Sequence, residues 1–230
     1  MALRIGHRGA CGHEPENTLE SVKKAVFFGV DYVEIDVRLT KDTQFILMHD
    51  ETLEGTTNGK GVISDMTLDE ISQYRIKENN LLIPSFQEVI EYIDGKTKIL
   101  IDIKDKESGG AIVELVKNNG IQNNVIAASI FTKTLKDIKH LAPEIPVGLT
   151  YPLPNIFPHK LLQCIIDLRQ KDLQVEYIHL YYRLASKYLV NHLHSKGFKI
   201  NVWTVNSPRD IQKMKDHEVD GIISNYPDRI

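Results

Sequence analysis

Residues 30–37 read Val-Asp-Tyr-Val-Glu-Ile-Asp-Val, a mostly apolar run in which the acidic residues Glu34 and Asp36 stand two positions apart. Such a short run is typical of a strand buried on both faces. Because side chains alternate along a strand, Glu34 and Asp36 point to the same side and lie a few ångströms apart. Buried like charges repel, so we expect either a divalent cation between them or one protonated carboxyl group.

Strand-like and helix-like runs alternate along the rest of the chain, a pattern that indicates a parallel sheet with crossover helices. Eight βα units in 230 residues predict an α/β fold, a (β/α)8 barrel that forms a single domain over residues 1–230. The last helix is expected to be truncated or absent. The predicted strands are residues 3–7, 32–37, 98–104, 125–129, 146–149, 177–180, 199–204 and 221–224, and helices should begin near Asn17, Ser85, Gly110, Thr134, Pro158, Leu184 and Ser207.

A further strand-like run at residues 45–50 follows the second strand too closely for a crossover helix. We therefore expect a hairpin centred on Thr43, which would place His49 opposite Val37 and beside the carboxylates. Residues 51–82, with a short helix at 67–74, then form a small insertion. Its place after the second strand predicts that it lies near the mouth of the barrel and shapes substrate access.

Polar residues recur at the carboxyl ends of the predicted strands, where barrel enzymes build their active sites. Each has an ordinary structural explanation, such as an ion pair, a solvated strand end or a hydrogen-bonded core histidine. Their convergence at one end of the barrel favours a functional site over these explanations. The residues are His7, Arg8, Glu34, Asp36, Asp102, Lys104, Ser129, His179, Trp203 and Asn225.

The types of these side chains indicate metal and phosphate chemistry. Asp102 is a third carboxylate inside an apolar strand, and three oxygen ligands suit Mg²⁺ or Ca²⁺ better than zinc. Free histidine titrates near neutrality, so His7 and His49 are candidates for an acid and a base. Arg8 and Lys104 supply a bidentate group and a point charge, a combination that favours an anionic substrate and phosphate above all.

Composition restricts the partners. The net charge is -3, with acids and bases interspersed, so we expect no nucleic-acid partner. Cys11 and Cys164 fit free thiols of a reducing cytosol. A glycine-rich turn already begins at Gly6, and no apolar run approaches the roughly 18 residues of a spanning helix, so we expect a cytoplasmic protein with no integral membrane association. The oligomeric state is not indicated.

Ordered motifs along nearly the whole chain resemble the glycerophosphodiester phosphodiesterase family. That resemblance implies a metal-containing barrel that hydrolyses small-molecule glycerophosphodiesters to sn-glycerol 3-phosphate and an alcohol. The motifs are His7-Arg8-Gly9, Pro15-Glu16-Asn17-Thr18, Glu34-Ile35-Asp36-Val37, Thr40-Lys41-Asp42, His49-Asp50, Val202-Trp203-Thr204-Val205-Asn206 and the run from Asp220 to Pro227.

The resemblance also implies a role for each matching residue. It implies that His7 and His49 are the acid and base pair, and that Glu34, Asp36 and Asp102 hold the metal. Arg8 and Lys104 would contact the phosphate, and Glu16 and Asn17 would orient the site. Trp203 would face the glycerol moiety or the leaving group.

Two positions depart from the family pattern. Asp102 stands where the family usually has glutamate, so the metal would be held through water or shifted toward the third strand. Gly55 stands where an arginine is common. Because both histidines and both carboxylates of the second strand are kept, we expect activity to survive.

Two other functions stay open from sequence. A lysophospholipase D would use the same site on longer-chain lipids. A noncatalytic barrel would bind glycerophosphodiesters or a protein partner, with Asp102 and Gly55 as marks of decay. Retention of His7 and His49 counts against the second of these.

Overall fold

A computed structural model describes residues 2–151 and 173–230. Within these residues, eight parallel strands form a closed barrel, since the first strand pairs with both the second and the last. The predicted (β/α)8 fold is confirmed. The strands are β1 (Leu3–Gly6), β2 (Tyr32–Leu39), β4 (Lys98–Ile103), β5 (Val125–Ser129), β6 (Val147–Tyr151), β7 (Tyr177–Tyr181), β8 (Lys199–Trp203) and β9 (Gly221–Ser224), with β3 (Phe45–Leu47) added antiparallel to the edge of β2.

Helices cover the outside of the barrel, and several begin where the sequence predicts. Thr18 and Ser85 each close a capping box, and Ser207 caps a helix whose first residue is Pro208. The helix predicted near Pro158, like Cys164, lies outside the described residues. The helices are α1 (Leu19–Phe27), α2 (Leu68–Ile71), α3 (Phe86–Ile93), α4 (Gly109–Asn118), α5 (Thr132–Leu141), α6 (Lys187–Ser195) and α7 (Pro208–Asp216), and single 3-10 turns occupy Ile63–Asp65, Gln122–Asn124, Tyr182–Leu184 and Pro227–Arg229.

The barrel interior changes from apolar to charged along the strands. Ile5, Leu100 and Ile223 belong to an apolar cluster inside the barrel. His7 and Asp102 come two residues after Ile5 and Leu100, and therefore lie on the same face. The apolar cluster therefore closes the barrel below, and the polar side chains stand on it at the carboxyl ends.

The β2–β3 hairpin differs from its predicted register. Val37 pairs with Leu47, not with His49, so the predicted pairing is wrong by two residues. The hairpin closes where the Thr40 N–H donates to the Gln44 carbonyl oxygen at 2.8 Å.

The turn itself accounts for this shift. Three residues form the loop between Thr40 and Gln44, and the last of them, Thr43, has a left-handed φ of 59°. Thr40 Oγ1 accepts a hydrogen bond from the Gln44 N–H at 3.0 Å and tightens the turn. These contacts move the hairpin centre to Asp42.

The segment after β3 packs around a small apolar cluster of its own. Its short helix α2 is capped by Thr67 and is shorter than the predicted 67–74. None of the helices in the described ranges has the length and apolar character that crossing a bilayer requires. The buried members of this insertion cluster are Ile46, Met48, Leu53, Ile63, Ile71, Ile76 and Ile83.

Candidate active site

Three carboxylates meet at the carboxyl ends of β2 and β4. Glu34 and Asp36 are almost completely buried, and Asp36 lies in register with Asp102 on the neighbouring strand. One oxygen from each carboxylate lies within 4.8 Å of the other two. The strand pairing thus joins the two acidic motifs into one cluster.

Two cations hold Asp36 in its ionised form. Lys104 Nζ lies 2.8 Å from Asp36 Oδ1 and 2.7 Å from Asp102 Oδ2, and Arg8 Nε lies 3.1 Å from Asp36 Oδ2. Burial alone would raise the pKa of Asp36, but Lys104 and Arg8 lower it to about 2. Burial alone would lower the pKa of Lys104, and the two aspartates raise it instead.

The other two carboxylates are less well compensated. Burial and repulsion from Asp36 and Asp102 raise the pKa of Glu34 well above its usual value, although the Arg8 N–H donates to Glu34 Oε2 at 2.7 Å. Burial also raises the pKa of Asp102, against the opposing attraction of Lys104. Its Oδ1 is buried and, among the described residues, has no hydrogen-bond partner.

This donor set fits a hard divalent cation. With all three carboxylates ionised, the two cations leave one net negative charge, Glu34 is under-compensated, and Asp102 Oδ1 has no donor among the described residues. Oxygen ligands of this kind are those that Mg²⁺ and Ca²⁺ prefer. The family's expected three ligands are therefore together in space.

The loop between β1 and α1 supports the carboxylates. Asn17 Nδ2 donates to Asp36 Oδ2 at 2.9 Å, and Asn17 Oδ1 accepts from the Asp36 N–H at 3.1 Å. Glu16 Oε1 accepts from the Arg8 guanidinium at 2.8 Å. Gly9 has a φ of 86°, and a Cβ there would lie 2.3 Å from Ser21 Oγ, so only glycine lets this loop close on α1.

His7 follows directly on β1 and lines the cavity above the carboxylates. Its Nδ1 lies 2.7 Å from Asn225 Oδ1, at the end of β9. Burial and the neighbouring Arg8 charge lower the pKa of His7 to about 4, in spite of the opposing effect of Asp36. The imidazole is therefore neutral near pH 7.

His49 reaches the same cavity from the hairpin side. Its Nδ1 contacts Asp50 Oδ1 at 2.8 Å, and its carbonyl oxygen accepts from Arg38 Nε at 3.1 Å. The His49 side chain is 41% exposed, far more than the carboxylates below it. His49 therefore lies at the cavity as predicted, although it does not pair with Val37.

A cavity of about 330 Å³ joins these groups. Trp203, the last residue of β8, lines this cavity, and the centroid of its ring lies 5.8 Å from that of Tyr181. Apolar side chains make up much of the remaining lining. They include Leu100, Ile103, Ile130, Phe131, Trp203 and Ile223.

Other strand-end residues have different positions. Ser129 is buried and donates to the Ile103 carbonyl at 2.7 Å, a structural contact. His179 lines the cavity, and burial lowers its pKa to about 4.

Sequence reasoning missed some residues of the site. Arg38 lines the cavity and also contacts Asp105 at 3.0 Å. It follows Glu34 and Asp36 at the same spacing of two along β2, so strand alternation could have found it. Ile130 and Phe131 lie in the loop after β5 and carry no motif that would have marked them.

Fold and site together define a barrel hydrolase with a candidate metal centre and two histidines at its carboxyl-terminal mouth. The glycerophosphoryl diester phosphodiesterase family model matches residues 7–229. The chain belongs to this family, and the resemblance in its motifs is confirmed.

Individual relatives agree with this assignment. A glycerophosphodiester phosphodiesterase of Caldanaerobacter subterraneus subsp. tengcongensis is 32% identical over 242 residues, covering 99% of this chain and 96% of the relative. The structure of an Oleispira antarctica phosphodiesterase in complex with the product sn-glycerol-3-phosphate is 28% identical, has a TM-score of 0.86, and covers 98% of this chain and 94% of its own. The human lysophospholipase D GDPD1 is 25% identical over 282 residues, covering 100% of this chain and 85% of the relative.

Proposed function

We propose that this protein is an enzyme that hydrolyses glycerophosphodiesters to sn-glycerol 3-phosphate and an alcohol. One observation carries the proposal. Three carboxylates, two cations and two histidines surround a single cavity in a chain of this family. These groups supply charge stabilisation and proton transfer, the two requirements of phosphodiester hydrolysis.

The cations of the site attract and orient the phosphodiester. Arg8 and Lys104 line the cavity and pair with carboxylates. Because the protein already holds these two cations in a partly buried site, their N–H groups do not have to be reorganised when an anion binds. Glu16 and Asn17 hold Arg8 and Asp36 in place. Charge developing on the nonbridging oxygens would then face prearranged donors.

A divalent cation, Mg²⁺ or Ca²⁺, would be held by Glu34, Asp36 and Asp102. When bound, it would supply charge stabilisation for the phosphate oxygens. It would also turn the net negative charge of the cluster into a net positive one, which complements the single negative charge of a diester. Asp102 would offer its Oδ1, which has no hydrogen-bond partner among the described residues.

His7 and His49 transfer the protons. One takes the proton of the attacking hydroxyl, from water or from the neighbouring glycerol hydroxyl, as the new O–P bond forms. The other gives a proton to the alcohol oxygen as the old P–O bond breaks. Water attack yields the products directly, whereas glycerol attack yields a cyclic phosphate that a water molecule then opens.

Trp203 forms the wall against which the glycerol moiety or the leaving group packs. Residues 51–82 are proposed to flank the mouth as an insertion within a single domain of residues 1–230. The cytoplasmic location, the absence of a nucleic-acid partner and the absence of integral membrane association stay predictions.

Hydrolysis of glycerophosphocholine tests the proposal. We expect release of glycerol 3-phosphate that EDTA abolishes and that Mg²⁺ or Ca²⁺ restores. Absence of turnover of any diester, with either ion present, contradicts the proposal and favours the noncatalytic barrel.

A lysophospholipase D activity is the second candidate. Ile130 is 39% exposed, and with Phe131 it gives the cavity an apolar wall that an acyl chain could contact. Preferential turnover of a lysophospholipid over glycerophosphocholine, measured side by side, would favour this function.

A further inference from the structure

The two ring nitrogens of His7 have different surroundings. Nδ1 lies 2.7 Å from the side-chain oxygen of Asn225, a good hydrogen-bond distance. Because Nδ1 is engaged there, Nε2 is the nitrogen left for the cavity that His7 lines. The contact therefore decides which nitrogen meets substrate.

The backbone holds both partners of this contact. The Asn225 N–H donates to Asn206 Oδ1 at 2.9 Å, and the Asn225 carbonyl accepts from the Gly12 N–H at 2.9 Å. The His7 N–H donates to the Ser224 carbonyl, also at 2.9 Å. These bonds fix the backbone of both residues and so hold the two side chains within reach of each other.

Cys11 is the other group near this nitrogen. Its Sγ lies 3.7 Å from His7 Nδ1, at the limit of a weak sulfur hydrogen bond. Burial raises the pKa of this thiol to about 12, so it is neutral and a poor acceptor. The shorter contact to Asn225 therefore controls Nδ1.

An amide oxygen can only accept, so the ring nitrogen that faces it must carry the hydrogen. We propose that Asn225 is a positioning residue that holds His7 in the Nδ1–H tautomer, leaving Nε2 bare to accept the proton of the attacking hydroxyl. This inference rests on the proposed function and deepens it, because it assigns the base role to His7 and the acid role to His49. The neutral state of His7 near pH 7 agrees with it.

The tautomer can be observed without turnover. In ¹⁵N-histidine-labelled, metal-free protein, the two His7 nitrogens are recorded at neutral pH and assigned by their loss in His7→Gln. We expect Nδ1 in the protonated range and Nε2 in the unprotonated range. In Asn225→Leu, which removes the acceptor at similar volume, both signals should move toward a mixture of tautomers.

Kinetics at saturating metal give a second readout. Asn225→Leu should lower kcat about 10- to 100-fold, a part of what a general base contributes, while KM stays within about twofold. Asn225→Asp restores an acceptor and should recover both the tautomer and most of kcat. Cys11→Ala is the matched control at the same nitrogen and should leave both unchanged.

Three results would overturn the inference. They are a wild-type Nε2–H tautomer, an unchanged tautomer and kcat in Asn225→Leu, or equal losses in Asn225→Leu and Asn225→Asp with the Asp variant folded as judged by its melting temperature. Should Asn225→Leu fail to fold, the wild-type and Asn225→Asp spectra decide alone. Absence of any diester hydrolysis by the wild type would instead contradict the proposed function, and the spectra would still report the tautomer.

Discussion

His7 and His49 reach one cavity from two different kinds of scaffold. His7 directly follows a barrel strand, is partly buried, and contacts the neutral amide of Asn225. His49 follows a short edge strand, is 41% exposed, and contacts the carboxylate of Asp50, the next residue in the chain. Burial and the Arg8 charge keep the His7 ring neutral, whereas the His49 ring contacts a carboxylate near solvent.

We propose that this difference lets one site use two residues of the same type as a base and an acid. Two groups of the same type can take opposite roles when their environments differ. The barrel end supplies burial and the Arg8 charge around His7. The hairpin leaves His49 accessible to solvent. Solvent can then replace a proton that His49 donates.

Replacement of either histidine by alanine should cause the largest loss. We expect kcat for glycerophosphocholine to fall roughly 10²- to 10⁴-fold in His7→Ala and His49→Ala, the usual contribution of a general acid or base. The melting temperature should stay close to that of the wild type. His140→Ala, at an exposed position on α5, is the control and should keep full activity; full activity in either active-site variant would remove that histidine from the mechanism.

Acid should reveal the buried environment of His7. Its native pKa of about 4 lies below the ordinary 6.5, so as the pH falls through this window the unfolded chain binds a proton that native His7 does not. The wild type should therefore lose roughly 2–3 kcal/mol more unfolding free energy than His7→Gln between pH 7 and pH 4.5. Urea titrations in EDTA measure this difference, and parallel pH profiles would contradict the burial argument.

The carboxylate cluster is common to the sites of both histidines, and its proposed role is to bind the metal. Asp102→Ala should weaken Mg²⁺ or Ca²⁺ binding by about 10- to 100-fold, as loss of a supporting ligand commonly does. Calorimetric titration of the metal measures this change. Asp102→Glu, which restores the length usual in the family, should bind at least as tightly as the wild type. Equal metal affinity in Asp102→Ala would exclude Asp102 as a ligand.

The smallest effect should come from Gly55, next to the hairpin histidine. A Cβ at this position would lie 2.4 Å from Asp50 Oδ2, so Gly55→Ala should push the Asp50 carboxylate off His49. Loss of one orienting hydrogen bond predicts a roughly fivefold lower kcat. Gly110→Ala on α4, where the nearest atom would be 3.8 Å away, is the control. An unchanged kcat in Gly55→Ala would show that Asp50 does not orient His49.

The barrel could be predicted from sequence because local signals agree with the global fold. The apolar runs at residues 125–129 and 221–224 are strands with those same limits, and the capping residues Thr18, Ser85 and Ser207 begin their helices. Strand alternation also brought Glu34 and Asp36 to one face. Such features depend on neighbours in sequence.

Other features depend on contacts that the sequence does not reveal. The hairpin register followed from a left-handed Thr43, a residue that rarely adopts this conformation, and the prediction was wrong by two residues. The contact between His7 and Asn225 joins the two ends of the chain across the closure of the barrel. Strand spacing could place both at the barrel mouth but could not show which atoms meet.

The contrast between the two histidines is tested most directly by changing the leaving group. A p-nitrophenyl ester of glycerol 3-phosphate releases an alcohol that needs no proton, whereas the choline of glycerophosphocholine does. His49→Ala should recover most of its activity with the p-nitrophenyl ester, and His7→Ala should stay inactive with both substrates. Recovery in His7→Ala, with continued inactivity of His49→Ala, would reverse the roles and contradict the account.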